Sequence, residues 1–127
     1  MDIMDSLLYT NDHEWIRLEE SQAIIGITDF AQSELGDIVF IEFPDEGNTF
    51  QKGDTIGTIE AVKTVADLYA PVSGKIVELN LELDDNAELI NSDPFGKGWL
   101  VKMELSNPDE THDLLSAEVY GLSLIHI

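Results

Sequence analysis

The most informative stretch of the sequence is Thr55-Ile56-Gly57-Thr58-Ile59-Glu60-Ala61-Val62-Lys63-Thr64-Val65-Ala66-Asp67-Leu68-Tyr69-Ala70. Both of its halves are rich in β-branched residues, which favour strands. The short distance between the halves leaves room for a tight hairpin turn with Val62 and Lys63 at its tip. Turns of this size favour Asn-Gly or Asp-Gly, which tolerate positive φ, so Val-Lys is a poor choice for folding alone. The stretch therefore predicts a β-hairpin that presents a lysine for a purpose other than forming the turn.

The chain is strongly acidic. Its 127 residues include 26 Asp and Glu against 6 Lys and Arg, which gives a formal net charge of -20. Such a field repels nucleic-acid phosphates and anionic membranes, and it favours a soluble monomer that meets basic partner surfaces. The absence of cysteine excludes disulfides, cysteine-based zinc sites and cysteine nucleophiles. Because basic side chains are so scarce, a lysine at a predicted turn tip is unusual.

The length predicts one domain over residues 1–127, with a core at 22–105, an N-terminal strand region at 1–21 and a helical segment at 107–122. The apolar tail 123–127 is either a docked end or non-native sequence. No run approaches the ~20 apolar residues of a membrane span. The acidic start, residues 1–5, does not resemble a secretory or transit segment. We expect a cytoplasmic protein if the source is bacterial, or one of the mitochondrial matrix if it is eukaryotic.

Other elements follow from residue patterns. Strands are predicted at 12–18, 22–27, 37–43 and 99–105, and the acidic connection 84–89 is predicted to contain one helical turn. Thr28 is placed to cap a helix over 29–35, and Gly36 to end it.

A second helix is predicted from Asn107, with Pro108 at its first position and Glu110 closing a capping box. Helical spacing then predicts a packing face made of Leu114, Leu115, Val119 and Leu122.

A weak internal repeat is visible at an offset of 38 residues. It pairs Asp29 with Asp67, Gly36 with Gly74, and the strand at 37–43 with residues 75–81. The match is either chance or the sign of two similar β halves packed face to face as a flattened barrel or sandwich.

The sequence lacks the motifs of common catalytic sites. His13, His112 and His126 are far apart and do not have metal-ligand spacing. There is no Gly-x-Ser-x-Gly, and Gly96-Lys97-Gly98 is too short for a phosphate loop. Because no nucleophile is paired with a base, the sequence indicates a carrier and not an enzyme.

Several segments together resemble the H protein of the glycine cleavage system, over nearly the whole chain from Tyr9 to Tyr120. That family usually has Glu-Ser-Val-Lys-Ala where this chain has Glu60-Ala61-Val62-Lys63-Thr64. The most specific segments are Asp12-His13-Glu14-Trp15-Ile16, Gly26-Ile27-Thr28-Asp29, Leu35-Gly36-Asp37-Ile38-Val39, Asp67-Leu68-Tyr69-Ala70-Pro71-Val72-Ser73-Gly74 and Asn91-Ser92-Asp93-Pro94-Phe95-Gly96-Lys97-Gly98-Trp99-Leu100. The resemblance implies a mainly β fold. It would be a flattened barrel-sandwich of two pseudo-symmetric β halves, like lipoyl and biotinyl domains, with a short internal helix and C-terminal helices.

The resemblance also implies a function. Lys63 would carry lipoate in amide linkage, as the sole modified lysine. A pyridoxal-phosphate glycine decarboxylase (P protein) would load an aminomethyl group onto the lipoyl sulfur. A folate-dependent aminomethyltransferase (T protein) would take the methylene carbon and release ammonia, and dihydrolipoyl dehydrogenase (L protein) would reoxidise the dithiol. The chain would be a non-catalytic carrier subunit without nucleic-acid or membrane partners.

Five further residues are candidates for recognition or docking. We expect the lipoate-attaching enzyme to recognise Glu60 and Gly47. By resemblance the loaded arm folds back onto the protein, where Asp12, Glu14 and Asp67 could pair with its cationic amine.

Two alternatives remain open. One is a lipoate donor or reservoir without a role in glycine cleavage. A biotinyl carrier is less favoured, because biotin acceptors have methionines on both sides of the lysine, where Val62 and Thr64 stand here.

Overall fold

The structure, a computed structural model, describes residues 3–125 as two antiparallel β-sheets with short helices. The strands, in chain order, are β1 (Leu8–Tyr9), β2 (Glu14–Glu19), β3 (Gln22–Ile27), β4 (Ile38–Glu42), β5 (Thr49–Phe50), β6 (Thr55–Ala61), β7 (Val65–Tyr69), β8 (Gly74–Leu79) and β9 (Val101–Leu105). The larger sheet has the order β1-β2-β3-β9-β8-β5, and the smaller sheet has the order β4-β6-β7. The mainly β sandwich expected from the sequence is confirmed.

Short helices connect or follow the strands. They are α1 (Asp29–Leu35), α2 (Leu89–Ser92) and α3 (Ala117–Ile125), with 3-10 helices at Leu81–Asp84 and Pro108–Asp113. No helix within residues 3–125 combines the length and the apolar character that crossing a bilayer requires.

Two hydrophobic clusters stabilise the domain. The main cluster draws buried residues from both sheets, including Ile25 and Met103 from the larger and Ile59 from the smaller, so it fills the space between them. Successive strand residues point to opposite faces. Ile24, the neighbour of Ile25, therefore belongs to a second cluster on the outer face of the larger sheet, around Trp15. The C-terminal helix α3 covers this second cluster by burying Tyr120 in it.

The predicted helix 29–35 is confirmed together with both of its ends. The Thr28 hydroxyl accepts a hydrogen bond from the Ala31 amide (3.2 Å), as an N-cap should. Gly36 ends the helix with φ 78° and ψ -154°, a region essentially restricted to glycine.

Strand 22–27 is also confirmed, but other predicted boundaries were too wide. Strand 12–18 begins only at Glu14, because His13 has a positive φ of 64° and closes a turn through its amide to the Thr10 carbonyl (3.2 Å). Strand 37–43 is observed at Ile38–Glu42, and strand 99–105 at Val101–Leu105. The short strands β1 and β5 were not predicted, and the helical residues expected within 84–89 lie on either side of that connection.

The predicted capping box at Asn107 is wrong. Asn107 does accept from the Asp109 amide (3.2 Å), and Pro108 does begin a helix, but of the 3-10 type. The carboxylate of Glu110 does not reach back to Asn107. It accepts from the backbone amide (2.7 Å) and hydroxyl (3.0 Å) of Ser73, which ties this segment to the start of β8.

The predicted packing face of the C-terminal helix is confirmed only for Leu114 and Leu115, which pack against the two hydrophobic clusters. Leu115 precedes α3 and exchanges two backbone hydrogen bonds with Tyr9 (2.8 and 2.7 Å), so the helical spacing is interrupted there. Val119 and Leu122 are about half exposed, whereas Tyr120 is 1% exposed. Within the tail 123–127, Leu124 packs against the second cluster, and residues 126 and 127 lie outside the described part.

The internal repeat holds only in part. β4 and β8, which contain most of the paired segments 37–43 and 75–81, do lie in different sheets. The same offset equates Asp29, in a helix, with Asp67, in a strand, so the pairing fails before residue 36.

Candidate functional site

Lys63 lies at the tip of the hairpin formed by β6 and β7, as predicted. The Ala61 amide donates to the Thr64 carbonyl (2.8 Å) across the turn. Among residues 3–125, positive φ at non-glycine positions occurs at His13 and Glu20, and not in this turn. The argument that Val-Lys opposes the geometry of the turn was therefore wrong. The turn is fixed by a tertiary bond instead, from the Val62 amide to the Asp37 carbonyl (2.9 Å).

The side chain of Lys63 runs past the C-terminal end of α1. A Cβ placed on Gly36 would lie 3.4 Å from Lys63 Cε and 3.9 Å from its Nζ. The lysine itself is exposed. Its amine is thus accessible to a modifying enzyme, and the residue that it passes, Gly36, follows Leu35 of the groove described below.

A groove of about 200 Å³ lies between α1 and the hairpin. We call it the α1 groove. Apolar side chains from α1 and the strands, such as Phe30, Leu35 and Leu68, line it. Asp12, Glu14 and Asp67 also line it, so the structure brings together the three carboxylates singled out from the sequence. Leu35 adjoins Gly36, so one wall of the groove ends at the residue next to the one that the Lys63 side chain passes.

Glu14 is the buried member of the three, with 2% of its surface exposed. Its carboxylate accepts from the Tyr69 amide (2.9 Å) and from the Thr10 hydroxyl (3.2 Å). Burial raises the pKa of Glu14 to about 8, the Tyr69 amide opposes this shift, and the charge of Asp12 adds to it. Glu14 is therefore mostly protonated at neutral pH, and a cation that binds beside it would favour its ionised form.

Asp12 and Asp67 are exposed, and both lie where the α1 groove meets solvent. The Tyr69 hydroxyl lies 3.5 Å from Asp67 Oδ2. These two side chains supply negative charge at the mouth of the groove, while Glu14 supplies a titratable carboxyl inside it.

His13 was only set aside as a metal ligand in the sequence analysis, but it forms part of the groove wall. Its Nδ1 lies 2.9 Å from the Tyr120 hydroxyl, and its ring packs on Phe30 at 4.5 Å between centroids. Burial lowers the pKa of His13 and so favours the neutral ring. Neither Phe30 nor Tyr120 was identified from the sequence. Their roles arise from contacts across the fold, which local spacing does not reveal.

The two predicted recognition residues have different surroundings. Glu60 is exposed on β6, between Phe40 of β4 and Val65 of β7. Gly47 is exposed in a turn with φ 91°, and its amide donates to the Ile76 carbonyl of β8 (2.8 Å).

A two-sheet β domain with a lysine at an exposed hairpin tip is the arrangement of lipoyl and biotinyl domains. Comparison with known proteins is more specific, since the family model described as "Glycine cleavage H-protein" matches residues 7–126. The chain belongs to the glycine cleavage H-protein family.

Individual relatives agree with this assignment. A glycine cleavage system H protein of Salinibacter ruber is 53% identical over 121 residues, which cover 95% of this chain and 98% of the relative. One of Pelodictyon phaeoclathratiforme is 56% identical over 122 residues, covering 94% of this chain and 95% of the relative. The crystal structure of a glycine cleavage system H protein from Mycobacterium marinum matches with a TM-score of 0.87 and 37% identity. That match covers 96% of this chain and 98% of the other.

Proposed function

We propose that this chain is the lipoyl carrier of a glycine cleavage system. It carries lipoate on Lys63 and shuttles the aminomethyl group of glycine from the decarboxylase to the aminomethyltransferase, and dihydrolipoyl dehydrogenase restores the oxidised arm. It is a monomeric, cytoplasmic carrier subunit and not itself an enzyme. One observation carries the proposal: an exposed lysine at a hairpin tip borders a groove that contains Asp12, Glu14 and Asp67.

The α1 groove fits a lipoyl arm in both size and chemistry. Its apolar walls suit an aliphatic chain, and its carboxyl groups suit a cationic cargo. From ordinary bond lengths a lipoyl-lysine arm reaches roughly 10–15 Å. When attached, the lipoyl group supplies the sulfur chemistry that accepts and releases the one-carbon cargo.

The residues of the carrier hold the cargo and exclude water from it. Asp12 and Asp67 attract the cationic amine to the mouth of the groove, and an exposed pair of this kind contributes about 0–1 kcal/mol. Inside the groove, the cation shifts Glu14 toward its ionised form, and the Tyr69 amide and Thr10 hydroxyl already stabilise that form. A partly buried, charge-assisted contact contributes about 1–3 kcal/mol. Docking at neutral pH therefore releases a proton from Glu14.

The site of modification can be tested by peptide mapping of lipoylated protein. We expect the adduct on Lys63 and not on Lys52, Lys75, Lys97 or Lys102. Lys63→Arg should abolish modification while the protein remains folded. An adduct on any of the other lysines would contradict the assignment.

Cargo protection can be tested on the isolated loaded carrier. Asp67→Asn and Glu14→Gln should speed the loss of ammonia or formaldehyde to water, and higher salt should speed it in the unsubstituted protein. Asp109→Asn, at an exposed position outside the groove, is the matched control. If decay responds neither to the groove substitutions nor to salt, steric burial alone protects the cargo.

We propose that the lipoate-attaching enzyme recognises this chain through direct contacts with Glu60 and Gly47. Glu60→Ala or Gly47→Asn should then slow lipoylation without changing thermal melting. For Gly47 the competing explanation is that it only supplies the positive φ of its turn, in which case Asn is tolerated.

The reservoir alternative is not favoured, because the relatives are named for the glycine cleavage system itself. Reconstitution with the decarboxylase, aminomethyltransferase and dehydrogenase separates the two functions. A reservoir would accept lipoate but would not support glycine-dependent NADH formation.

A further inference from the structure

Exposed apolar side chains cluster on the outer face of the smaller sheet, beside the lysine turn. Val39, Phe40, Val62 and Val65 are 57%, 48%, 75% and 60% exposed. The strand register places Phe40 opposite Glu60, and Glu60 opposite Val65, so these three form one row across the sheet. We call the surface formed by Val39, Phe40, Glu60, Val62 and Val65 the tip face.

A local irregularity in β4 creates the apolar part of the tip face. The register with β6 shifts between Ile38 and Phe40, and both Val39 and Phe40 are exposed instead of alternating with buried positions. Ile38 pairs with Ala61, which immediately precedes Val62, so the exposed residues of β4 lie next to the turn. Contiguous exposed apolar surface is a common mark of an interaction site.

The chemistry of lysine modification identifies the partner for this surface. Before modification the reacting atom is Lys63 Nζ, which a four-carbon stem holds within roughly 6–7 Å of the backbone. An enzyme that acylates this amine must therefore contact the turn and its neighbours. Enzymes that act on the finished arm meet a group that reaches roughly 10–15 Å from the backbone, so they do not need the same close contact.

We propose that the tip face is the docking surface of the lipoate-attaching enzyme, and that the enzyme's matching surface is apolar with a basic rim. The inference rests on the proposed lipoylation of Lys63. The basic rim follows from Glu60 within the tip face and from the net charge of -20 of the chain. In the reaction, deprotonated Nζ attacks the carbonyl carbon of a lipoyl adenylate. An amide C–N bond forms, the carbonyl–phosphate C–O bond breaks, and AMP and a proton are released.

The tip face can be tested with substitutions that remove apolar contact at exposed positions. Phe40→Ser and Val65→Thr should each lower kcat/KM for lipoylation by the purified enzyme about tenfold, as expected for central interface residues. Leu122→Ser and Val119→Thr are the matched controls on α3. Leu122 is 54% exposed and Val119 is 50% exposed, so each control shortens or replaces an apolar side chain at a similarly exposed position. The control rates should stay within about twofold of the unsubstituted protein, and circular dichroism and melting should show that all four variants are folded.

A second measurement separates this inference from the proposed function. The variants are driven to full lipoylation with excess enzyme and then assayed with glycine decarboxylase. We expect near-normal loading of the aminomethyl group, because the tip face is needed only while lipoate is being attached. Unmodified Lys63 in the unsubstituted protein would overturn the proposed function itself. Normal lipoylation of Phe40→Ser and Val65→Thr would overturn only the docking surface, and normal lipoylation with impaired loading would assign the face to the decarboxylase instead.

Discussion

The Nδ1 atom of His13 lies 2.9 Å from the hydroxyl of Tyr120, although 107 positions separate the two residues in the sequence. The same hydroxyl lies 2.8 Å from Oγ1 of Thr28, the residue that caps α1. One hydroxyl from the C-terminal helix therefore connects two walls of the α1 groove, the turn that carries Glu14 and the start of α1. The Tyr120 ring is held independently, stacked on Tyr9 at 4.5 Å.

Tyr120→Phe should lower the free energy of unfolding by about 1–3 kcal/mol. The substitution keeps the stack on Tyr9 but leaves His13 Nδ1 and Thr28 Oγ1 without this partner, and buried polar groups that lose a partner are costly. Chemical denaturation measures the change. Tyr69→Phe is the matched control, since its hydroxyl makes only a 3.5 Å exposed contact, and its effect should stay within about 0.5 kcal/mol. Equal effects of the two substitutions would show that the hydrogen bonds of the Tyr120 hydroxyl do not stabilise the fold.

Features determined by neighbouring residues could be predicted from the sequence, and features determined by distant ones could not. The helix between Thr28 and Gly36 was correct at both ends because capping and positive φ are local properties. The lysine turn was located correctly from its flanking strands, but the argument from turn propensity failed, since a bond from Val62 to the distant residue Asp37 fixes the turn. Glu110 failed as a capping residue because Ser73 offered it donors from a distant segment.

The residues of the candidate site also divide into those that could be predicted from the sequence and those that could not. The resemblance to the H-protein family pointed to Asp12, Glu14 and Asp67, and the structure gathers them around one groove. The burial of Glu14 could not be predicted in a chain with 26 acidic residues, where most carboxylates face solvent. The burial of Tyr120 was not predicted, because the helical spacing of Leu114, Leu115, Val119 and Leu122 pointed to a different packing face. The pairing of Leu115 with Tyr9 interrupts that spacing.

Gly26→Ala should be strongly destabilising. A Cβ at this position would lie 2.5 Å from the indole carbons of Trp15, which is fully buried and donates from Nε1 to the Pro94 carbonyl (2.8 Å). Such overpacking typically costs about 1–3 kcal/mol, and a rigid buried indole puts this site at the upper end.

Gly121→Ala is the control for the same chemical change. It lies inside α3, and its new Cβ would meet only the flexible end of Ile3 at 3.4 Å. Helix propensity favours alanine there by up to about 1 kcal/mol, so we expect a neutral or stabilising effect in thermal melting. If both substitutions destabilise equally, the close approach to Trp15 is not the cause.

Gly36→Ala should cost about 1–3 kcal/mol for a different reason. The backbone at φ 78° and ψ -154° is essentially accessible only to glycine, so alanine strains the end of α1. The space around the new methyl group is adequate, because its nearest neighbour would be Lys63 Cε at 3.4 Å. Ser33→Ala, at an exposed position in the same helix, should be neutral or slightly stabilising in the same denaturation assay. A tolerated alanine at position 36 would contradict the strain argument.

Glu14 should make the stability of the protein depend on pH in an unusual direction. Its pKa is about 8 in the folded protein against 4.5 for an ordinary glutamate, so below pH 4.5 both states are protonated and burial carries no ionisation cost. Between pH 4.5 and 8 the unfolded chain loses this proton while the folded protein keeps it, so stability falls as pH rises. Above pH 8 the cost is constant, on the order of 3–5 kcal/mol at the usual free energy per pKa unit.

Glu14→Gln removes this titration and retains an oxygen that can accept from the Tyr69 amide. We therefore expect the substitution to be nearly neutral at pH 5 and stabilising at pH 8, measured as the difference in unfolding free energy from the unsubstituted protein. Taking the difference cancels the titration of every other group. Glu82→Gln, the same substitution at an exposed position, is the matched control. A flat difference for Glu14→Gln from pH 5 to pH 9 would mean that Glu14 is ionised in the folded carrier. The α1 groove would then carry a permanent negative charge, and binding of the cationic cargo would not release a proton from Glu14.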